Sequence, residues 1–346
     1  MSLNVLIDTK PLTDGNAIRG VGMYTRLLKQ HLQTLPKIKT LGQNDENKPD
    51  LIHYPFFDLF FSTLPLNNPA PIVVTVHDVI PLKFPEFYPT GVKGKLRFIK
   101  QRTALQKAAA VITDSESSKT DIEELLKIDP DKIHVIHLAG NPELSSQPKQ
   151  VISKVKRAYK LPRKYVLYVG DINYNKNIPQ LIKMLKYLPE KIHLVCVGKN
   201  FRPQNIPEWQ WIETQVAMSN VSQRVTFVPD LQTTDSIDLA AIYSGAVAYV
   251  QPSLYEGFGL PLLEAMQCRT PIVSTNNSSL PEVAGDHAVL VEPTAEDLAA
   301  GVVQILEWSD HKRTQVIRKA FAWSQKFNWE TTAKQTNKIY QLVTKK

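Results

Sequence analysis

A chain of 346 residues is about twice the size of a usual single domain, so two domains sharing a cleft are the expectation. Its 43% hydrophobic and 21% charged residues, with no polar low-complexity tract, exclude a disordered or fibrous protein. A formal charge of +8 calls for an anionic partner and leaves three classes open: small-molecule phosphates, lipid headgroups and nucleic acid.

In chain order, short apolar runs at 5–7, 51–53, 72–77, 111–113 and 133–138 alternate with helix-like stretches at 24–35, 96–110 and 117–126. That alternation predicts a parallel sheet with crossover helices. After a polar stretch at 145–164 the pattern restarts. Strand-like runs at 165–169, 193–197, 225–228, 246–250, 272–274 and 288–291 are interleaved with helix-like ones at 179–188, 237–243 and 261–266. The reading is α/β, with a first domain over 1–150, a hinge near 145–162, a second domain over 151–325 and a closing helix over 326–346. Ligands of such sheets lie beyond the carboxyl ends of the strands, so function is sought in the loops that follow them.

The opening segment lacks the basic start and long apolar stretch of an export signal, and no apolar run reaches the roughly 18 to 20 residues that cross a bilayer. Cys196 and Cys268 have no metal-ligand spacing between them, and a reduced, cytoplasmic setting is expected. Lys93, Lys95, Arg97, Lys100, Arg102 and Lys107 fall together with no acidic residue among them, interleaved with Leu96, Phe98, Ile99 and Leu105. They are candidates for an anionic membrane surface, and a solvated helix face is the alternative. A nucleic-acid binder would carry a longer basic surface with interleaved aromatics, so none is expected.

The most informative stretch is Pro252-Ser253-Leu254-Tyr255-Glu256-Gly257-Phe258-Gly259-Leu260-Pro261-Leu262-Leu263-Glu264-Ala265-Met266. A strand ends, a glycine-broken loop follows, and a helix starts with Pro261 in its first turn, where the missing N–H is harmless. Exposed N–H groups and the positive helix end favour a phosphate there, and the glycines let a ligand come close to the backbone. Glu256 and Glu264 each offer a carboxylate that accepts two hydroxyls at once, as a ribose or hexose diol requires. Taken alone, such a pair reads more often as a loop cap and a helix-dipole complement. Three other places follow strands. Gly170 to Asn177 turns from a strand to Lys176, Arg19-Gly20-Val21-Gly22 follows the opening strand, and His77-Asp78 ends the run at 72–77. In isolation a lysine in a polar loop, a plain glycine turn and a structural histidine are the commoner readings. His53 is a more distant candidate.

The long motif resembles the signature of family-4 retaining glycosyltransferases, which have the GT-B fold: two Rossmann-like doubly wound domains facing each other across a cleft. The resemblance continues through 239–246, Thr270-Pro271-Ile272-Val273 and Leu280-Pro281-Glu282-Val283-Ala284-Gly285. It implies that Glu264 holds the nucleotide ribose, that Glu256 contacts the donor sugar, and that Gly257, Phe258, Gly259 and Leu260 border sugar and diphosphate. It further implies that Lys176 meets the diphosphate beside Gly170 and Asn177, that Gly20 and Gly22 lie beneath it, and that His77 contacts the sugar next to the reacting carbon. The family often has an arginine between Gly170 and Lys176, where this chain has Asp171 and Asn175, so Arg19 or Arg202 is looked to as a substitute phosphate contact. Segments such as His77-Asp78-Val79-Ile80-Pro81-Leu82 are similar to bacterial mannosyltransferases of O-antigen or capsule assembly.

The implied reaction moves a hexose, mannose as first guess, from a GDP- or UDP-linked donor to a glycan, lipid-linked or small-molecule acceptor. It would retain configuration by same-face attack, with no side-chain nucleophile. The one Asp-x-Asp spacing, Asp129-Pro130-Asp131, reads as a turn, so no metal and no cofactor beyond the nucleotide-sugar are expected. A sugar-nucleotide epimerase, a phosphorylase and a non-catalytic nucleotide-sugar-binding protein of the same architecture are the alternatives. The expected location is cytoplasmic, with the inner face of the cell membrane as a place of attachment.

Overall fold

The computed structural model describes every residue except 1, 14, 16–19, 43, 44, 46, 232–235 and 346. The chain divides into two compact units, Met1–Ala139 with Phe327–Lys346, and Gly140–Lys326.

In the first unit the strands are β1 (Leu3–Ile7), β2 (Ile38–Leu41), β3 (Leu51–Tyr54), β4 (Ile72–Thr75), β5 (Ala110–Thr113) and β6 (Ile133–Val135). They pair in parallel in the order β2-β1-β3-β4-β5-β6, so the strand order reverses between β1 and β3. The four-residue runs of β4 and β5 are buried throughout, as befits strands covered on both faces. The helices are α1 (Gly20–Gln33), α2 (Ile80–Lys83), α3 (Val92–Gln106) and α4 (Glu116–Asp121).

In the second unit β7 (Tyr165–Val169), β8 (His193–Val197), β9 (Val225–Val228), β10 (Ala248–Gln251), β11 (Ile272–Thr275) and β12 (Val289–Val291) form a parallel sheet ordered β12-β11-β10-β7-β8-β9. Here the reversal lies between β7 and β10. Around the sheet lie α5 (Lys149–Ala158), α6 (Ile178–Lys183), α7 (Pro207–Ser219), α8 (Ser236–Ser244), α9 (Leu260–Gln267), α10 (Leu280–Ala284), α11 (Ala295–Leu306) and α12 (Asp310–Ser324). Its core joins Val166, Tyr168 and Leu194 from the strands to Leu181, Ile182 and Val302 from the helices.

The last helix, α13 (Trp329–Thr344), belongs to the first unit. Asn328 caps it by accepting the Thr331 N–H at 2.9 Å, and Thr332 Oγ1 donates to the His137 carbonyl at 2.8 Å.

The α/β reading with two doubly wound sheets holds. Several elements depart from the local reading, which names no run at α2, α5, α7, α10, α11, α12 or β2. Residues 149–158, taken from composition as part of a polar hinge, form α5, because Ile152 and Val155 give that stretch an apolar stripe. Val155 is buried, and Ile152 and Lys156 both press on the α8 end at Gly245. Strand β2 is only four residues, Ile38-Lys39-Thr40-Leu41, and pairs on one side alone, which leaves little apolar signal to read.

Candidate functional site

An open parallel sheet offers ligands the crevice where its strand order reverses, which in the second unit lies past the carboxyl ends of β7 and β10. Both loops leaving that point carry expected site residues. β7 runs into Gly170 at φ 155°, where a Cβ would lie 2.7 Å from the Tyr168 hydroxyl. The turn that follows ends with Lys176 and with Asn177, which adopts a left-handed φ of 55°. Beyond β10, Gly259 caps α9 at φ 108° and a Cβ there would lie 2.9 Å from Leu280 Cδ2, so this helix entry requires glycine.

Lys176 Nζ donates to Glu256 Oε1 and Oε2 at 2.8 and 2.7 Å. Oε1 also accepts from Gln251 Nε2 at 2.8 Å and from Ser253 Oγ at 2.6 Å. Ser278 Oγ accepts the Glu256 N–H at 2.8 Å, and Ser279 Oγ donates to the carbonyls of Glu256 and Phe258 at 3.0 and 2.8 Å. The buried Asn175 donates to the Tyr255 carbonyl at 2.9 Å and accepts the Leu254 N–H through its own carbonyl at 2.8 Å. Asn177 Nδ2 donates to the carbonyls of Pro252 and Pro293, each at 3.0 Å. The turn where an arginine was looked for thus contains an asparagine that sews the two loops together.

Glu264 lies one turn into α9 and accepts from the Tyr243 hydroxyl at 2.9 Å. Burial raises its pKa, and the Tyr243 hydrogen bond partly offsets that. Tyr249 donates to the Gln251 side-chain oxygen, and burial, then the charges of Glu256 and Glu264, push its own pKa well up. Both carboxylates therefore act on one core tyrosine. A cation, two hydrogen-bonded carboxylates and a glycine-capped helix start suit an anionic polyol.

In the first unit the chain leaves β4 through Val76 to His77. His77 Nδ1 faces Asp114 Oδ2 at 2.7 Å, its Nε2 faces the Pro55 carbonyl at 3.2 Å, and its own carbonyl accepts from Ser118 Oγ at 3.0 Å. The Tyr24 ring and the imidazole are perpendicular, with centroids 4.9 Å apart. Burial opposes charge on His77, but Asp114, then Asp78, outweigh it and leave the pKa raised. Gly20 and Gly22 lie in the first turn of α1, where Gly22 is buried, while Arg19 lies outside the described residues. His53, the more distant candidate, is a fully buried link: Nδ1 meets the Tyr340 hydroxyl at 2.6 Å and Nε2 the Thr75 hydroxyl at 2.8 Å. Burial, then the neighbouring His77, pushes its pKa down to about 3.

Arg202, the other substitute phosphate contact, instead donates to Asp230 at 3.1 Å and to the Lys199 carbonyl at 2.8 Å in an exposed pair. The basic candidates Lys93, Lys95, Arg97, Lys100 and Arg102 all lie on α3, Arg102 half-buried and the others exposed. The local reading missed Gln251, Ser253, Tyr243 and Asp114. The first two adjoin or lie inside the glycine motif, and Asp114 follows β5 just as His77 follows β4, so position after a strand was the available signal.

Residues 151–323 match the family described as glycosyl transferases group 1, and residues 8–143 the one described as glycosyltransferase family 4. The chain belongs to this family of glycosyltransferases, and its two doubly wound units are those of the GT-B fold. It is 30% identical to the O-antigen chain mannosyltransferase B of Escherichia coli over 78% of this chain and 70% of that protein. Against the serotype-specific mannosyltransferase WbdA of Escherichia coli it is 28% identical over 82% of its own length, and spans 36% of that longer protein. The solved structure of Anabaena HepE in complex with UDP and glucose superposes with a TM-score of 0.74 at 17% identity, covering 99% of this chain and 100% of that one.

Proposed function

We propose that this glycosyltransferase moves a hexose, mannose first, from a GDP- or UDP-linked donor to a glycan, lipid-linked or small-molecule acceptor, with retention of configuration. The observation that carries the reading is Lys176 bound to Glu256 where the strand order of the second sheet reverses. Loss of a nucleoside diphosphate places negative charge on the leaving group, which Lys176 and the N–H groups at the start of α9 neutralise. Glu256, oriented by Gln251 and Ser253, accepts from sugar hydroxyls, Glu264 holds the ribose diol, and His77 touches the sugar. With that charge supplied by the chain, the reaction needs no metal and no further cofactor. The mannosyltransferase relatives support the sugar, and HepE's UDP supports a nucleotide donor. Incubating the protein with GDP-mannose, UDP-glucose and related donors together with a panel of glycan, lipid-linked and small-molecule acceptors, with and without EDTA, and following hexose by mass spectrometry tests this. Donor turnover without transfer indicates an epimerase, and binding without turnover a non-catalytic protein, and either result sinks the transferase reading. NMR of the product's anomeric centre checks retention, and loss of activity in EDTA removes metal independence.

The same reading places the enzyme in the cytoplasm, on the inner face of the membrane. Among the described residues no helix is long and apolar enough to cross a bilayer, so attachment would be at the surface. At about 100° per residue, Val92, Leu96 and Ile99 share the face of α3 opposite the buried Gln101, Ala104 and Leu105. They are 75%, 63% and 54% exposed, with Lys95 and Arg102 on one flank and Lys93 and Lys100 on the other. An apolar stripe edged by cations matches an anionic lipid surface. Co-sedimentation with vesicles containing anionic lipid should fall when Lys93, Lys95 and Lys100 become Glu, and unchanged binding removes the attachment.

A further inference from the structure

Asp114 stands directly after β5 and is 2% exposed, and the mechanism above gives it no task. One carboxylate oxygen lies 2.7 Å from His77 Nδ1, and the other, Oδ1, has no hydrogen-bond partner among the described residues. The opposite ring nitrogen faces the Pro55 carbonyl, which only accepts, so Nε2 carries a hydrogen. That leaves two states for the Nδ1 side. Either Nδ1–H donates to ionised Asp114, or protonated Asp114 donates to a bare Nδ1. In both states Nε2 keeps its hydrogen.

We propose that Asp114 is a positioning residue that holds His77 with Nε2 protonated, so that the imidazole presents to the donor sugar a hydrogen shared with the Pro55 carbonyl, and not a basic lone pair. The inference rests on the reading of His77 as a sugar contact. Buried carboxylates with an unpartnered oxygen are rare, and here the imidazole is what compensates the charge. The ring is held by Asp114 at Nδ1, Pro55 at Nε2, a perpendicular contact with Tyr24, and Ser118 on its backbone. The charged or titratable groups that act on the pair are Asp78 on His77, His137 on Asp114, the buried Tyr24 and the neutral His53. The state with Nε2 bare is the one a general base needs, and the Pro55 carbonyl disfavours it.

The first test uses the full chain labelled with ¹⁵N-histidine. Two-bond proton–nitrogen correlation reads the tautomer and charge of His77, assigned by its loss in His77→Gln. The expected result is a hydrogen on Nε2 across neutral pH. In Asp114→Asn that hydrogen stays, because the amide donates to Nδ1, while the ring becomes neutral at lower pH than in the parent. A bare Nε2 in the parent, or a charge midpoint unmoved by Asp114→Asn, overturns the proposal. The second test is transfer kinetics. Asp114→Asn should lower kcat by about 10- to 100-fold, the effect of losing one charge-assisted hydrogen bond, and leave KM within about twofold. A rise in KM alone overturns the positioning role. If neither parent nor variant transfers sugar while the spectra are as expected, the dyad stands and the assigned function fails.

Discussion

Glu256 and Asp114 are both buried carboxylates that follow a strand, and they satisfy their charge in opposite ways. Glu256 is met by an ammonium on both oxygens and by an amide and a hydroxyl on one of them. Asp114 is hydrogen-bonded by a single imidazole and, among the described residues, keeps one oxygen unmatched. The first arrangement holds its charge with several bonds in a network. The second ties the charge to one titrating ring, so proton exchange reaches it directly.

The largest break in that contrast should come from Lys176→Ala, which removes the cation and leaves Glu256 with its neutral donors. Transfer kcat/KM should fall by about 100- to 1,000-fold, as for loss of a group aimed at developing charge. Stability should drop by about 2–4 kcal/mol, near the low end for a split buried pair because Lys176 keeps some water contact. Adding Glu256→Gln should recover part of the stability but none of the activity, and a double-mutant cycle read by denaturant melts and kinetics checks both.

The histidine side should show itself in the pH dependence of melting. His53 is depressed to about 3 in the folded chain, so below about 6.5 the unfolded state binds the extra proton and stability falls as pH drops. That acid limb should amount to several kcal/mol on the order-of-magnitude scale of such shifts, and His53→Asn should flatten it. His77 is raised, so its contribution is full below about 6.5 and is lost as pH rises through its folded value. Asp114→Asn should flatten that upper limb.

Smaller effects sharpen the second site. Gly259→Ala forces a side chain into a left-handed backbone against Leu280 and should lower stability by about 1–3 kcal/mol in thermal melts. Tyr243→Phe removes only the hydroxyl that orients Glu264, so KM for the nucleotide-sugar should rise by about tenfold or less with kcat nearly unchanged.

Local chemistry in the sequence determined the strand and helix alternation, the two doubly wound sheets, and the glycine-capped start of α9 at a strand end. These were legible because hydrophobic period, glycine and proline act within a few residues. The family signature was legible for the same reason, being one unbroken stretch from Pro252 to Met266. Only the tertiary structure decided that Lys176 meets Glu256 across 80 positions, that Asp114 meets His77 across 37, and that Tyr243 holds Glu264 across 21. Such pairs depend on which strands become neighbours, and that order is set by burial of whole helix and sheet faces, which no short window of sequence contains. The same physics turned residues 149–158 from an apparent hinge into a packed helix, because its apolar stripe gains burial against the end of α8.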